Sequence, residues 1–250
     1  MKTSSILCLL DTQTGDITEI KRFDCLIEAP FFRGERELLY NEGGRIFRLF
    51  MDSGEIEEIP TGECNHCNND HVLSPDGTML AISHSPESDW QSRIYIVGLE
   101  PQTPPRLVTP IGPSYLHGWS PDGTTLAYCA CRDGEYDVYT IPADGGEETR
   151  LTDVPGLDDG PEYAPDGRYI WFNSVRTGLM ECFRMDTDGA IPSASQTTVG
   201  TTGSRISPRT ELPLHTYPTI PPRYAPTIIP PTKTSRSAVS IPTEPMTVPW

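Results

Sequence analysis

The feature that most constrains the fold of this chain is a polar turn motif that recurs four times. Its copies begin at Phe32, Ser74, Ser120 and Ala164, and they follow one another at steps of about 42 to 46 residues. Three copies read Ser/Ala-Pro-Asp-Gly, in which proline presets φ for a type I turn and glycine accepts the positive φ that follows. A period in the forties with short strands between the turns is typical of β-propeller blades.

Each turn is followed by apolar or alternating runs that indicate strands. In the third copy these runs are residues 125–129 and 137–141, and a closing run ends at Thr152. With the run that precedes each turn, this makes four antiparallel strands per unit. We therefore predict an all-β fold, a β-propeller of four-stranded antiparallel blades that start near residues 28, 69, 114 and 158. Residues 5–22 predict an additional N-terminal hairpin.

The third unit also carries a family resemblance. From Trp119 to Thr152 it reads W-S-P-D-G-T-T-L-A-Y, followed by V-Y, G-G and R-L-T. This pattern resembles the propeller repeat of the TolB family, and the resemblance extends over roughly residues 25–189. It implies a ring of six blades, of which about four are present here, with the N-terminal hairpin completing the last blade. It also implies a binding or scaffolding module, which residues 1–189 would form as an incomplete propeller.

The composition changes abruptly after residue 189. Residues 190–250 contain 12 prolines and 12 threonines and carry a net charge of +3, against −19 for residues 1–189. This predicts an irregular, disordered Pro/Thr-rich tail. Read one base out of frame, however, the codons allowed for residues 196–211 permit a further Ser-Pro-Asp-Gly at position 207, in phase with the repeat. The sequence favours a frameshift near residue 190 over a genuine tail, and a chain truncated in this way could be non-functional.

Charge and cysteine content restrict the partners and the compartment. The net charge of −16 argues against nucleic acid, whose phosphates require a basic surface, and against an anionic membrane. No apolar stretch is long enough for a signal or transmembrane segment, so we expect a cytoplasmic protein with its seven cysteines reduced. Cys64 and Cys67 have the spacing of a zinc knuckle, but no second pair follows, which favours two cysteines in a loop.

The candidate site residues precede the turns of three units, in the segments that lead into the inner strands. Since equivalent residues of neighbouring blades converge around a propeller axis, we expect them at the mouth of the central channel. These residues are Asn68, Asn69, Asp70, His71, Tyr115, His117, Asp159 and Glu162. His71 and His117 share one register, three residues before the turn.

Imidazole and carboxylate groups around one axis suit a divalent metal bound by His71 and His117, an acid–base pair or a polar ligand. The expected partner is a protein or a small polar or carbohydrate ligand. The alternative is that these side chains only form hydrogen bonds that hold the loops lining the channel. No nucleophile elbow, P-loop or dinucleotide fingerprint is present. We therefore expect a binding module with no assigned catalytic residue and no required cofactor. The alternative is a metal-dependent carbohydrate lyase or hydrolase with Glu162 or Asp70 as base. For the loop that contains Trp90, a solvated loop is favoured over a site.

Overall fold

The computed structural model describes residues 4–190 and the backbone of Arg236–Pro242, and all regular structure in these residues is β-strand. The strands are, in chain order, β1 (Ser5–Asp11), β2 (Ile17–Phe23), β3 (Ile27–Arg33), β4 (Glu37–Glu42), β5 (Arg45–Phe50), β6 (Ile56–Glu58), β7 (Cys67–Leu73), β8 (Met79–His84), β9 (Arg93–Gly98), β10 (Arg106–Leu107), β11 (Ser114–Trp119), β12 (Thr125–Arg132), β13 (Glu135–Pro142), β14 (Thr149–Arg150), β15 (Asp158–Tyr163), β16 (Tyr169–Ser174), β17 (Glu181–Asp186) and β18 (Arg236–Pro242). In this part of the chain there is no helix with the length and hydrophobicity that crossing a membrane requires.

The described residues divide into two compact units, residues 4–60 with 236–242 and residues 61–190. The first unit contains the three-stranded sheet β18-β1-β2 and the four-stranded meander β3-β4-β5-β6. Buried side chains from both sheets, among them Leu7, Phe23, Leu38 and Tyr40, form its core. β1 and β2 pair antiparallel over the segment for which the sequence predicts an N-terminal hairpin.

β18 departs from the irregular tail that the sequence analysis expects. Its backbone pairs antiparallel with β1 along the whole of Ser5–Asp11. The composition argument averages over 61 residues and cannot detect a seven-residue segment in which Val239 and Ile241 alternate with smaller residues. An exposed strand edge provides the unpaired backbone groups for such an addition.

The second unit consists of three consecutive meanders. Two have four strands, β7 to β10 and β11 to β14, and the third has three strands in the described residues, β15 to β17. Neighbouring strands are antiparallel in each sheet. These sheets are the predicted blades, and together with the meander of the first unit they confirm the all-β blade architecture.

The recurring turn is held by its own side chains. The Ser120 hydroxyl donates to the Asp122 carboxylate at 2.6 Å and accepts from the Thr125 amide at 2.9 Å, while Gly123 adopts φ 73°. Ser74 makes the same pair of bonds in the preceding blade. The motif therefore closes the hairpin between the first two strands of each blade, and among the three copies in the second unit Ala164 is the one that lacks the hydroxyl.

The three inner strands of this unit, β7, β11 and β15, lie side by side. Two of the turn glycines each lie against the turn proline of the preceding blade: a Cβ on Gly123 would be 3.6 Å from Pro75, and one on Gly167 would be 3.6 Å from Pro121. Next to these turns, the Trp119 indole N–H of β11 donates to the Val72 carbonyl oxygen of β7 at 3.0 Å. The inner strands therefore start at one common end of the unit and reach their turns at the other.

Candidate functional site at the inner strands

The site lies where the three inner strands deviate from regular pairing. β7 is irregular between Cys67 and His71, β11 between Leu116 and Gly118, and β15 between Asp159 and Glu162. A bulge adds a residue that the partner strand does not match, and it redirects the side chains around it. Asn68, Asn69, Asp70 and His117 all fall within these bulges.

The bulges bring together side chains from three different blades. The His117 Nε2 atom of β11 lies 3.1 Å from an Asp159 carboxylate oxygen of β15. The charge of Asp70, from β7, acts on both of these groups. Glu162, on β15, contributes a further negative charge beside His117. We call Asp70, His117, Asp159 and Glu162 the inner-strand cluster.

His117 is the basic group of the cluster and its cation when protonated. Burial alone lowers the pKa of an imidazole, but the hydrogen bond to Asp159 and the charges of Asp70, Asp159 and Glu162 outweigh it and raise the pKa of His117 above its usual value. The side chain is 18% exposed and that of Asp159 is 37% exposed, so the pair is partly open to solvent.

The two aspartates of the cluster differ in their protonation behaviour. Burial raises the pKa of Asp70, although His117 and a hydrogen bond from the Asn68 amide at 2.6 Å act in the opposite direction. Burial also acts on Asp159, but the hydrogen bond and the charge of His117 lower its pKa below the usual value. The cluster therefore combines a carboxylate–imidazolium pair with a carboxyl group that binds a proton more readily.

The structure adds two residues that the sequence analysis does not select. The Cys129 thiol lies 3.3 Å from the Asp158 carbonyl oxygen and within hydrogen-bonding reach of the Asp159 carboxylate. Burial and the charge of Asp159 raise the pKa of Cys129, so this thiol is protonated. Its sequence signal is its register, because Cys129 occupies the position that Ser83 has in the preceding blade.

Tyr136 of β13 is the second addition, and it hydrogen-bonds Tyr115 of β11. Burial, with the proximity of Tyr136 and the charge of Asp70, raises the pKa of Tyr115. Tyr115 therefore lies beside the cluster as a protonated phenol.

The remaining predicted residues occupy different environments. Asn69 is exposed within the bulge of β7, whereas His71 is buried and pairs with Ile82 of β8. His71 and His117 share a register in the sequence, and His117 has carboxylates from two other inner strands around it. The irregular segment of β7 ends at His71, whereas that of β11 contains His117, so the two histidines are placed differently in their strands.

Metal binding has little support in the described residues. In residues 4–190, no three histidine, cysteine, aspartate or glutamate side chains are grouped so that they could hold a metal ion. A metal bound by His71 and His117 stays a prediction that needs a further ligand. All seven cysteines are free thiols. Burial raises the pKa of Cys64 and that of Cys67 to about 12, so both thiols are protonated when no metal is bound.

Comparison with known proteins agrees with this fold. Residues 89–212 match the family model described as the TolB beta propeller domain. An uncharacterized protein of Agrobacterium fabrum is 46% identical over 167 residues, which are 66% of this chain and 56% of that protein. The chain thus spans little more than half the length of this relative.

Two solved structures extend the likeness to three dimensions. One, from Agrobacterium tumefaciens and assigned as TolB, has a TM-score of 0.73 at 39% identity and covers 80% of this chain and 72% of its own. TolB from Acinetobacter baumannii has a TM-score of 0.67 at 17% identity, covers 97% of this chain and 64% of its own, and shows the shared fold alone.

Proposed function

Because the chain is a TolB-like β-propeller protein, we propose that it acts as a binding or scaffolding module whose ligand contacts the inner-strand cluster. The observation that carries this proposal is the His117–Asp159 pair, with Asp70 close by, contributed by three blades and partly open to solvent. A pair that served only to join two strands would not need a third blade's carboxyl group beside it.

The charge of the cluster indicates the ligand chemistry. One imidazolium stands among the carboxyl groups of Asp70, Asp159 and Glu162, so the carboxylates outnumber the cation. Such a site favours a cationic group or a ligand with several hydroxyl donors, since both can satisfy carboxylate oxygens. A basic segment of a protein partner and a small polar or carbohydrate ligand both meet this requirement.

Ligand titrations on matched variants test the proposal. The probes are arginine amide, spermidine and neutral oligosaccharides, with binding measured by calorimetry and by the rise in Tm. We expect one probe class to stabilise the wild-type chain and to lose most of that effect in Asp159→Asn. Asp122→Asn, in a turn at the other end of the strands, serves as the control and should bind normally. Equal binding by both variants would place the ligand elsewhere.

The opposite pKa shifts of Asp70 and Asp159 favour acid–base chemistry on a carbohydrate as a second candidate. In this version Asp70 carries the transferred proton and His117 orients the substrate. A metal-dependent version would need ligands beyond His71 and His117. Release of reducing or unsaturated ends from oligosaccharides, abolished in Asp70→Asn with the Tm unchanged, would support it. Turnover that persists in this variant would argue against Asp70 as the acid–base group.

A further inference from the structure

The second unit separates exposed apolar side chains from exposed polar turns. One end of its sheets carries the loops β8–β9 and β16–β17 and the connections β10–β11 and β14–β15, and the inner strands also begin there. Hydrogen bonds confirm that these segments share an end: the Val175 amide donates to the Leu157 carbonyl oxygen, and the Arg132 guanidinium donates to that of Ile111. We call this the loop end.

Exposed large apolar residues concentrate at the loop end. Those in the described part of the unit are Trp90, Ile111, Val154, Leu157 and Leu179, with Leu107 on the outermost strand β10 as the exception. The opposite end consists of the Ser/Ala-Pro-Asp-Gly turns and similar polar turns, and no exposed large apolar residue is described there. Apolar side chains gathered on one end of a soluble fold mark an interaction surface.

Trp90 is the most conspicuous of these residues. It is 60% exposed, and its φ of 56° lies in the left-handed region that a bulky side chain rarely adopts. Its ring and that of His66 are in an edge-to-face arrangement at a centroid distance of 5.1 Å, and its amide donates to the Pro86 carbonyl oxygen. An exposed indole held in an unfavourable backbone conformation is better explained by contact with a partner than by the stability of the loop.

The charge of the loop end indicates what the partner carries. Its three arginines are all engaged in ion pairs within the unit, Arg93 with Asp89, Arg132 with Glu148 and Arg176 with Asp158. No lysine occurs between residues 22 and 232. Exposed carboxylates remain at this end: Glu87 on the β8–β9 loop, Asp153 on the β14–β15 connection, and Asp133 and Glu135 at the β12–β13 hairpin. The surface is therefore apolar and carries a net negative charge.

We propose that the loop end of the second unit docks a protein partner through a segment that combines apolar side chains with a net positive charge. This rests on the binding-module function proposed above, and it adds contacts at Trp90, Ile111 and Leu179 outside the inner-strand cluster. A second copy of this chain is disfavoured as the occupant, because the same acidic surface would face itself and the chain carries a net charge of −16.

Peptide selection tests the proposal. Twelve-residue peptides displayed on phage are selected on the full chain, with counter-selection on Trp90→Ser/Leu179→Ser. We expect the recovered peptides to be rich in lysine, arginine and apolar residues. Synthetic copies should bind the double variant at least tenfold more weakly and Glu87→Lys several-fold more weakly. Leu107→Ser, an exposed apolar residue away from the loop end, is the matched control and should bind within twofold of wild type. All four sites are on the surface, and melting curves check that each variant folds.

The outcomes separate this inference from the proposed function. Peptides that lose affinity in the Trp90/Leu179 variant but not in Asp159→Asn would support docking at the loop end. They would count against the inner-strand cluster as the site of ligand contact. Loss of peptide affinity in Asp159→Asn alone would contradict docking at the loop end. Acidic peptides, or equal binding by every variant, would also overturn it, and so would a wild-type dimer that dissociates in the Trp90/Leu179 variant.

Discussion

His117 is the residue at which the chemistry of this site can be measured most directly. Its pKa is raised because Asp159 accepts its hydrogen bond and three carboxyl groups surround it, despite burial. The stabilisation that follows is present in full below the unfolded-state pKa of about 6.5 and is lost as the pH rises through the folded-state pKa. Asp159 has a lowered pKa, so its contribution is present above about pH 3.9 and is lost as the pH falls through its folded-state pKa.

We predict from this that Asp159→Asn lowers the pKa of His117, because the variant removes both the accepting carboxylate and its charge. A pH titration followed by NMR measures the change, and the unfolding free energy at pH 5.5 should fall in the same variant. Asp122→Asn should leave the titration of His117 unchanged. A His117 pKa that does not move in Asp159→Asn would show that the pair contributes nothing to this ionisation.

At the scale of single elements, the turns and the closing strands stabilise the blades. Ser120→Ala removes a hydroxyl that both donates to Asp122 and accepts from the Thr125 amide. We expect a loss of about 1 kcal/mol in the free energy of unfolding, measured by urea denaturation. The reverse change, Ala164→Ser, offers the same two partners at the turn that lacks them and should be neutral or stabilising. Destabilisation by both changes would mean that the turns differ in geometry.

The closing strand β14 depends on a threonine beside it. The Thr152 hydroxyl accepts from the Val138 amide at 3.0 Å and donates to the buried Asp137 carboxylate at 3.1 Å, which also pairs with Arg150. Thr152→Val leaves two buried polar groups without this partner, so we predict a loss of about 1–3 kcal/mol. The exposed Thr149→Val in the same strand is the control in chemical denaturation. Equal stability of the two variants would contradict this role.

At the scale of the whole molecule, the frame of the C-terminal residues determines how many blades the protein has. The hidden Ser-Pro-Asp-Gly predicts an insertion or deletion near codon 190, which sequencing of the gene and mass spectrometry of the native protein would detect. The family match that continues in frame to residue 212 is the observation against it. A confirmed reading frame, with relatives that share this C-terminal sequence, would refute the frameshift. Fractionation of the producing cells tests the expected cytoplasmic location separately.

The sequence by itself determined the blades, because the features that specify them are local. Proline, aspartate and glycine close each hairpin through contacts within a few residues, as at Ser120–Thr125. The sequence also shows the alternation of apolar and polar residues along the strands. It shows directly that Asp70, His117 and Asp159 are polar.

Only the tertiary structure decided which polar residues meet. The bulges in β7, β11 and β15 change strand alternation, and His117 meets Asp70 and Asp159 there, whereas His71, in the same register of the sequence, follows the bulge of β7 and is buried. Cys129 and Tyr136 join the site from strands that carry no site motif. The apolar loop end likewise gathers residues as far apart as Trp90 and Leu179. Such groupings depend on side-chain contacts between blades, which the register of the repeat predicts only in outline.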